Sequence, residues 1–239
     1  MSFYCMSDVH GMQNAFHQML NKIHFGENDQ LYIIGDVIDR GPDGIGILRE
    51  IMENSRMHMI LGNHEYMMLE ALLTRKTETE ISRWARNGNA TTLNGWNALS
   101  EPEKGRVFDY LQSLPDYLEL EAGGKKFYMV HGFPGENTHD RVWGRPQGLD
   151  VESPIADKQL IIGHTPVPFL LCKTEQEEME YFTKLEKEKS LNHILRTPGY
   201  WDIDCSCGHS DPGGALSCLR LDDLKEFYVP GRRSDPSVK

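Results

Sequence analysis

The sequence predicts an α/β fold, a mostly parallel sheet covered by helices. Short β-rich runs alternate with amphipathic helical stretches over the first third of the chain, a helical insertion follows at about 79–115, and strand patterns return after it. The 239 residues suffice for one domain with a substantial core and are few for two. That domain is placed at 1–230, with a loose C-terminal tail at 231–239.

Phe3–Met6 is the first apolar run. Met12, Phe16, Met19, Leu20 and Ile23 follow at the spacing of one buried helix face. Leu31–Ile34 is the second β-rich run, and Ile45, Leu48, Ile51 and Met52 mark the next helix. Met57–Leu61 and the helical stretch Tyr66–Leu73 complete a βαβαβα order, which favours parallel strands in this half. Within the helical section, Ser100, Pro102 and Glu103 form a capping box. Strands resume at Lys126–Val130 and Gln159–Ile162. Leu216–Leu221 and Glu226–Val229 close the chain as a hairpin about a short acidic turn. The Glu- and Lys-rich stretch Thr174–Lys189 reads as a solvated helix, with a flap over a site as the alternative.

Composition excludes several classes. A hydrophobic fraction of 39% and a charged fraction of 26% belong to a globular protein, not a disordered or fibrous one. The net charge of −11 argues against nucleic acid and anionic membranes as partners. It does not exclude phosphate esters, because bound divalent cations reverse the local potential. Five cysteines make no disulfide framework; they read as unpaired thiols of a cytoplasmic protein, and the C-x-C of Cys205 and Cys207 carries little information. No apolar run is long enough to cross a bilayer, and no signal peptide fits ahead of Ser7.

The chemistry lies where the strands end. The first run leads into Asp8 and His10, the second into Asp36 and then Asp39 and Arg40, the third into Asn63 and His64. The two middle strands lead into His131 and His164. Taken singly, each is an ordinary turn, cap or core residue. Together they put a ligand-type side chain at the carboxyl end of every such strand, where open α/β sheets build their sites. Nitrogen and oxygen donors without thiolate, with one carboxylate available to bridge, suit two borderline divalent ions.

Ser7-Asp8-Val9-His10-Gly11, Gly35-Asp36-Val37-Ile38-Asp39-Arg40-Gly41, Gly62-Asn63-His64-Glu65, His131-Gly132 and Gly163-His164-Thr165 resemble, in order, the signature motifs of PPP-type phosphoprotein phosphatases. These belong to the calcineurin-like metallophosphoesterase superfamily. Trp84, Asn87-Gly88 and Thr92-Leu93, with Trp143-Gly144-Arg145, resemble elements of the bacterial and phage-type serine/threonine phosphatases in particular. The resemblance implies the calcineurin-like metallophosphoesterase fold, an α/β fold with central mixed β-sheets flanked by helices. It implies one metal held by Asp8, His10 and Asp36, and a second held by Asp36, Asn63, His131 and His164. Manganese is the first choice for both, with iron or zinc as alternatives. His64 would protonate the leaving group and Asp39 would hold His64 in place, while Arg40 and Arg145 would grip the phosphate. Arg141 is a rival for the last role. One segment departs from the pattern: Asp204-Cys205-Ser206-Cys207-Gly208-His209 stands where the subgroup has a D-T-G-A/C run, and His209 reads as an ordinary loop histidine near the rim.

The expected activity is hydrolysis of phosphate monoesters, first of all phosphoserine and phosphothreonine in proteins. A symmetrical bis(5'-nucleosyl)-tetraphosphatase is the alternative, and Asp39 weighs against it because that group commonly lacks this aspartate. A non-catalytic metal-binding module on the same fold is the third possibility, disfavoured by the full set of motif residues.

Overall fold

The computed structural model describes residues 1–236. In chain order its elements begin with β1 (Phe3–Met6), α1 (Gln13–Lys22), β2 (Gln30–Ile33), α2 (Gly44–Glu53), β3 (Met57–Met59) and α3 (Asn63–Leu69), which runs on into a π-helical turn at Glu70–Thr74. The insertion comprises α4 (Glu78–Arg86), α5 (Ala90–Ala98) and α6 (Glu101–Ser113). There follow β4 (Tyr117–Ala122), β5 (Lys125–Val130), α7 (Thr138–Trp143), β6 (Gln159–Ile162), α8 (Val167–Leu171), α9 (Glu175–Glu188), β7 (Leu195–Arg196), β8 (Trp201–Asp202), β9 (Ala215–Arg220) and β10 (Lys225–Pro230).

These strands form two five-stranded mixed sheets, ordered β10-β9-β1-β2-β3 and β4-β5-β6-β8-β7. The β1–β2 and β2–β3 pairs are parallel, while β9 joins β1 from the other side antiparallel. In the second sheet β5, β6 and β8 are parallel, with β4 and β7 antiparallel at the edges. Side chains alternate across each strand, so each sheet serves two cores. Cys5, Ile34, Phe127, Met129, Ile161, Ile203 and Leu219 pack between the sheets. Tyr4, Met6 and Ile33 face the helices on the outside of the first sheet, and Tyr128, Val130 and Leu160 face outward from the second. The continuous apolar runs in the sequence thus reflect strands buried on both faces.

Four elements differ from expectation. The edge strand β4 alternates half-buried Leu118 and Leu120 with Glu119 and Glu121; its acidic face hid it from a reading that looked for apolar runs. Strands β7 and β8 are two residues each, too short to show a period. The expected loose tail holds a definite course through Asp235. Gly231 N–H donates to Gly214 O at 2.8 Å, Arg232 N–H to Cys207 O at 2.8 Å, and Asn14 Nδ2 to Asp235 Oδ1 at 3.0 Å. Residues 237–239 of that tail lie outside the described residues. The stretch expected to be a solvated helix is α9, capped at its start by the Thr174–Glu177 box and burying only Leu185.

Close backbone approach at the strand ends brings the two sheets' loops together. Gly35 follows β2 with φ +89°, and a Cβ there would lie 2.6 Å from Gly62 Cα and 2.7 Å from His131 Nδ1. Gly35→Ala should therefore lower stability by about 2–4 kcal/mol, combining left-handed strain with overpacking against backbone. Urea unfolding checks this, and a shift smaller than about 0.5 kcal/mol would remove the need for glycine here.

Candidate active site

Strand ends supply the side chains, and an unusual backbone aims them. Asp8, His10, Asp36, Asp39, Arg40 and His164 all have φ between 47° and 71°, the left-handed region that non-glycine residues seldom occupy. Such strain persists only where surrounding bonds over-determine it. Here the loops after β1 and β2 are laced together: His10 N–H donates to Asp36 O at 2.9 Å, Gly11 N–H to Val37 O at 2.7 Å, and Gly41 N–H back to His10 O at 2.9 Å.

Glu65, read in the sequence only as the end of a motif, is the anchor of the second loop. Its fully buried carboxylate accepts from Asp36 N–H (3.0 Å) and Gly62 N–H (3.2 Å) on one oxygen, and from Val37 N–H (2.9 Å) and Ile38 N–H (3.2 Å) on the other. Burial, with the Asp36 charge nearby, pushes this carboxyl up to about 7 even against those donors. The signal that could have marked Glu65 was its place three residues after a glycine cap at a strand-to-helix turn.

All six expected ligands converge. His10 Nδ1 donates to Ile38 O at 3.1 Å, so its Nε2 lone pair faces Asp36 Oδ2 at 3.7 Å and Asp8 Oδ1 at 3.9 Å. His131 Nδ1 donates to Ile34 O at 2.8 Å, so its Nε2 faces Asn63 Oδ1 at 2.9 Å and Asp36 Oδ1 at 3.3 Å. His164 Nδ1 lies 2.8 Å from the same Asn63 oxygen. Lone pairs therefore point at lone pairs across the nest, an arrangement that needs a proton or a cation between them. Backbone carbonyls holding the far ring nitrogen are the usual support for a metal-ligating imidazole.

The charges respond accordingly. Burial pushes Asp8 up to about 6, with Asp36 adding to it. His131, His64 and His10 overcome burial to hold Asp36 well below the usual carboxylate range. Burial opposes a charged His131, yet Asp36 beside it carries that imidazole up to about 10. Burial lowers His10 and His164 well below their ordinary value, which leaves both neutral and able to ligate. Two clusters share Asp36: one with His131 and His164, the other with His10 and His64. His64 is a poor ligand despite its 3.8 Å approach to Asp36, because the Arg40 guanidinium lies 3.2 Å from its Nε2.

The insertion braces the adjoining dipeptide. Asp39 Oδ2 accepts from His64 Nδ1 at 2.6 Å and from Trp84 Nε1 at 2.8 Å, while Asp39 N–H donates to Thr92 Oγ1 at 2.8 Å. Arg40 N–H donates to Gly88 O at 2.9 Å. The W…NG…TL residues thus hold Asp39 and Arg40 in their left-handed turn.

Of the two rival arginines, Arg145 lines the cavity over the nest and donates to Thr165 Oγ1 at 3.1 Å. Arg141 is spent elsewhere, on Asp116 at 3.1 Å and over the Tyr117 ring. His209, expected near the rim, is a loop residue that shares the cavity wall with Arg40, Asn87, Trp143 and Phe169.

A family model, calcineurin-like phosphoesterase, matches residues 1–209. The chain belongs to the calcineurin-like phosphoesterase family. Among its curated relatives is a symmetrical bis(5'-nucleosyl)-tetraphosphatase from Wigglesworthia glossinidia brevipalpis, 44% identical over 82% of this chain and 78% of that one. A protein of the same name from an Acidovorax species is 31% identical over 55% of this chain and 43% of its own, so the chain spans less than half the length of some curated relatives it matches. A serine/threonine-protein phosphatase 1 from Salmonella typhimurium is 27% identical over 69% of this chain and 78% of its own. A solved serine/threonine phosphatase from Saccharomyces cerevisiae shares the fold at TM-score 0.60, with 11% identity over all of this chain and 83% of that one. No helix among the described residues is long and apolar enough to cross a membrane.

Glu65→Ala would leave four buried N–H groups without acceptors and should destabilise the chain by about 3 kcal/mol or more. Thermal and urea unfolding test this; a loss below about 1 kcal/mol would mean the loop after β2 holds itself.

Proposed function

We propose that the chain is a dinuclear-metal phosphoester hydrolase that cleaves dinucleoside tetraphosphates symmetrically, into two nucleoside diphosphates. The observation that carries this is the tetraphosphatase relative alike over 82% of this chain. A cavity wall that offers Arg40, Arg145 and Asn87 to a run of phosphates agrees with it. The sequence alone ranks protein phosphoserine and phosphothreonine first; the relatives reverse that order.

In this reading Asp8, His10 and Asp36 hold one divalent ion, and Asp36, Asn63, His131 and His164 hold the other. A nitrogen and oxygen donor set without thiolate favours manganese, iron or zinc. When bound, the pair withdraws charge from the phosphate oxygens and makes hydroxide available near neutral pH. Arg40 and Arg145 orient the phosphate with forked donors that a lysine would not reproduce. Phosphate oxygens take the Arg40 Nη2 hydrogen bond that His64 Nε2 accepts in the free protein. That nitrogen can then carry a proton to the leaving oxygen, with Asp39 holding the other side of the ring.

The 2.6 Å contact between Asp39 and His64 favours a second reading, phosphoserine and phosphothreonine monoesters. An alkoxide needs a proton to leave, whereas a nucleoside diphosphate leaves as a stable anion. The manganese-loaded protein should release ADP from diadenosine tetraphosphate faster than phosphate from a phosphoserine peptide. Turnover of the peptide alone would replace the first reading by the second. His64→Asn should lower turnover of a phosphoserine peptide by ~10²–10⁴ and that of p-nitrophenyl phosphate far less; equal losses on both would take the proton-donor role away from His64. Asp36→Asn should lose most bound metal by elemental analysis, since one carboxylate serves both ions, and full metal content in that variant would end the bridging assignment.

A further inference from the structure

The segment that departs from the family pattern reaches the site through His209, and its geometry has a direction. Its imidazole Nε2 lies 2.8 Å from Arg40 Nη1. A guanidinium can only donate, so Nε2 carries the lone pair and Nδ1 the proton. On the Nδ1 side stands the Asp211 carboxylate, 3.7 Å away. Phe169 meets the ring edge-on at 5.9 Å between centroids. Burial, together with Arg40, pushes the imidazole down to about 4, so it stays an acceptor across the neutral range.

The backbone behind the ring is fixed. Gly208 packs against the His10 ring, where a Cβ would come within 2.8 Å of Cγ. Cys207 O accepts from Arg232 N–H at 2.8 Å, and Cys205 O from Ala215 N–H at 2.9 Å. Arg40 is thereby held from two sides: Gly88 O takes its backbone N–H at 2.9 Å, and His209 takes one arm of its fork. The other arm, Nη2, faces His64 and the nest.

We propose that His209 is a positioning residue for phosphate binding, which acts by accepting one arm of the Arg40 guanidinium so that the other arm is presented to a phosphate oxygen. This rests on the reading of Arg40 as a phosphate ligand, and not on which ester is hydrolysed. A long flexible arginine loses side-chain entropy when it grips an anion; a partner that orders it beforehand removes part of that cost from binding. The Arg40 contact itself sets the tautomer of His209, and the Asp211 carboxylate on the Nδ1 side adds a compatible charge at 3.7 Å.

The test is a double-mutant cycle read by calorimetric titration of inorganic phosphate into the manganese-loaded protein, so it stands whatever the natural substrate is. His209→Ala should weaken phosphate binding about tenfold, the size of one lost charge-assisted hydrogen bond. His209→Gln, whose amide oxygen can accept the same N–H, should recover most of that loss. In an Arg40→Ala background, His209→Ala should change the affinity by less than about twofold. Equal effects of His209→Ala in both backgrounds would overturn the proposal, as would a glutamine variant no better than alanine. Phosphate affinity indifferent to Arg40 itself would overturn it as well, while leaving the choice between nucleotide and phosphopeptide substrates untouched.

Discussion

A buried carboxylate at the end of β2 is the constraint from which the rest of the site follows. Asp36 is almost wholly shielded from water, and an unpaired charge in such a place is costly. Three imidazoles stand within 3.8 Å of its oxygens, and His64 N–H donates to Oδ1 at 3.0 Å. Its own N–H is committed to Glu65. One buried acid therefore aims the ligand, and a second acid secures the backbone that carries it.

The two sheets divide the work. The first contributes Asp8, His10, Asp36 and Asn63 from the ends of β1, β2 and β3, and the second contributes His131 and His164 from the ends of β5 and β6. Neither sheet alone holds both clusters that share Asp36. The helical insertion is part of the site as well. Trp84 is buried to bring one indole N–H to Asp39, and Thr92 meets the same residue from the following helix.

Much of this was legible in the sequence, for identifiable reasons. Strands buried on both faces write themselves as apolar runs, and Phe3–Met6 and Gln159–Ile162 coincide with β1 and β6. The ligand-type residues follow those runs within a few positions, so their clustering could be foreseen from strand direction alone. What stayed hidden acts at a distance or through backbone. Glu65 is recognisable as an anchor only once its four N–H partners are assembled around it. Trp84 could be quoted as a motif residue, but its bond to Asp39 spans 45 positions. His209 lies in a segment without a familiar pattern, 169 positions from the arginine it meets. Arg141 and Arg145 are close in sequence, and only the position of Asp116 separates their fates.

The place of β1 in its sheet has a consequence for synthesis. The strand's permanent neighbour on one side is β9, made some two hundred residues after it. Until that neighbour arrives, the segment bearing Asp8 and His10 has an open edge, and the loop that sets Gly208 against His10 is missing. Long-range pairing of this kind is slow to form and leaves nascent intermediates exposed. A growing polypeptide therefore completes neither the edge of β1 nor the wall behind His10 before the hairpin of β9 and β10 docks.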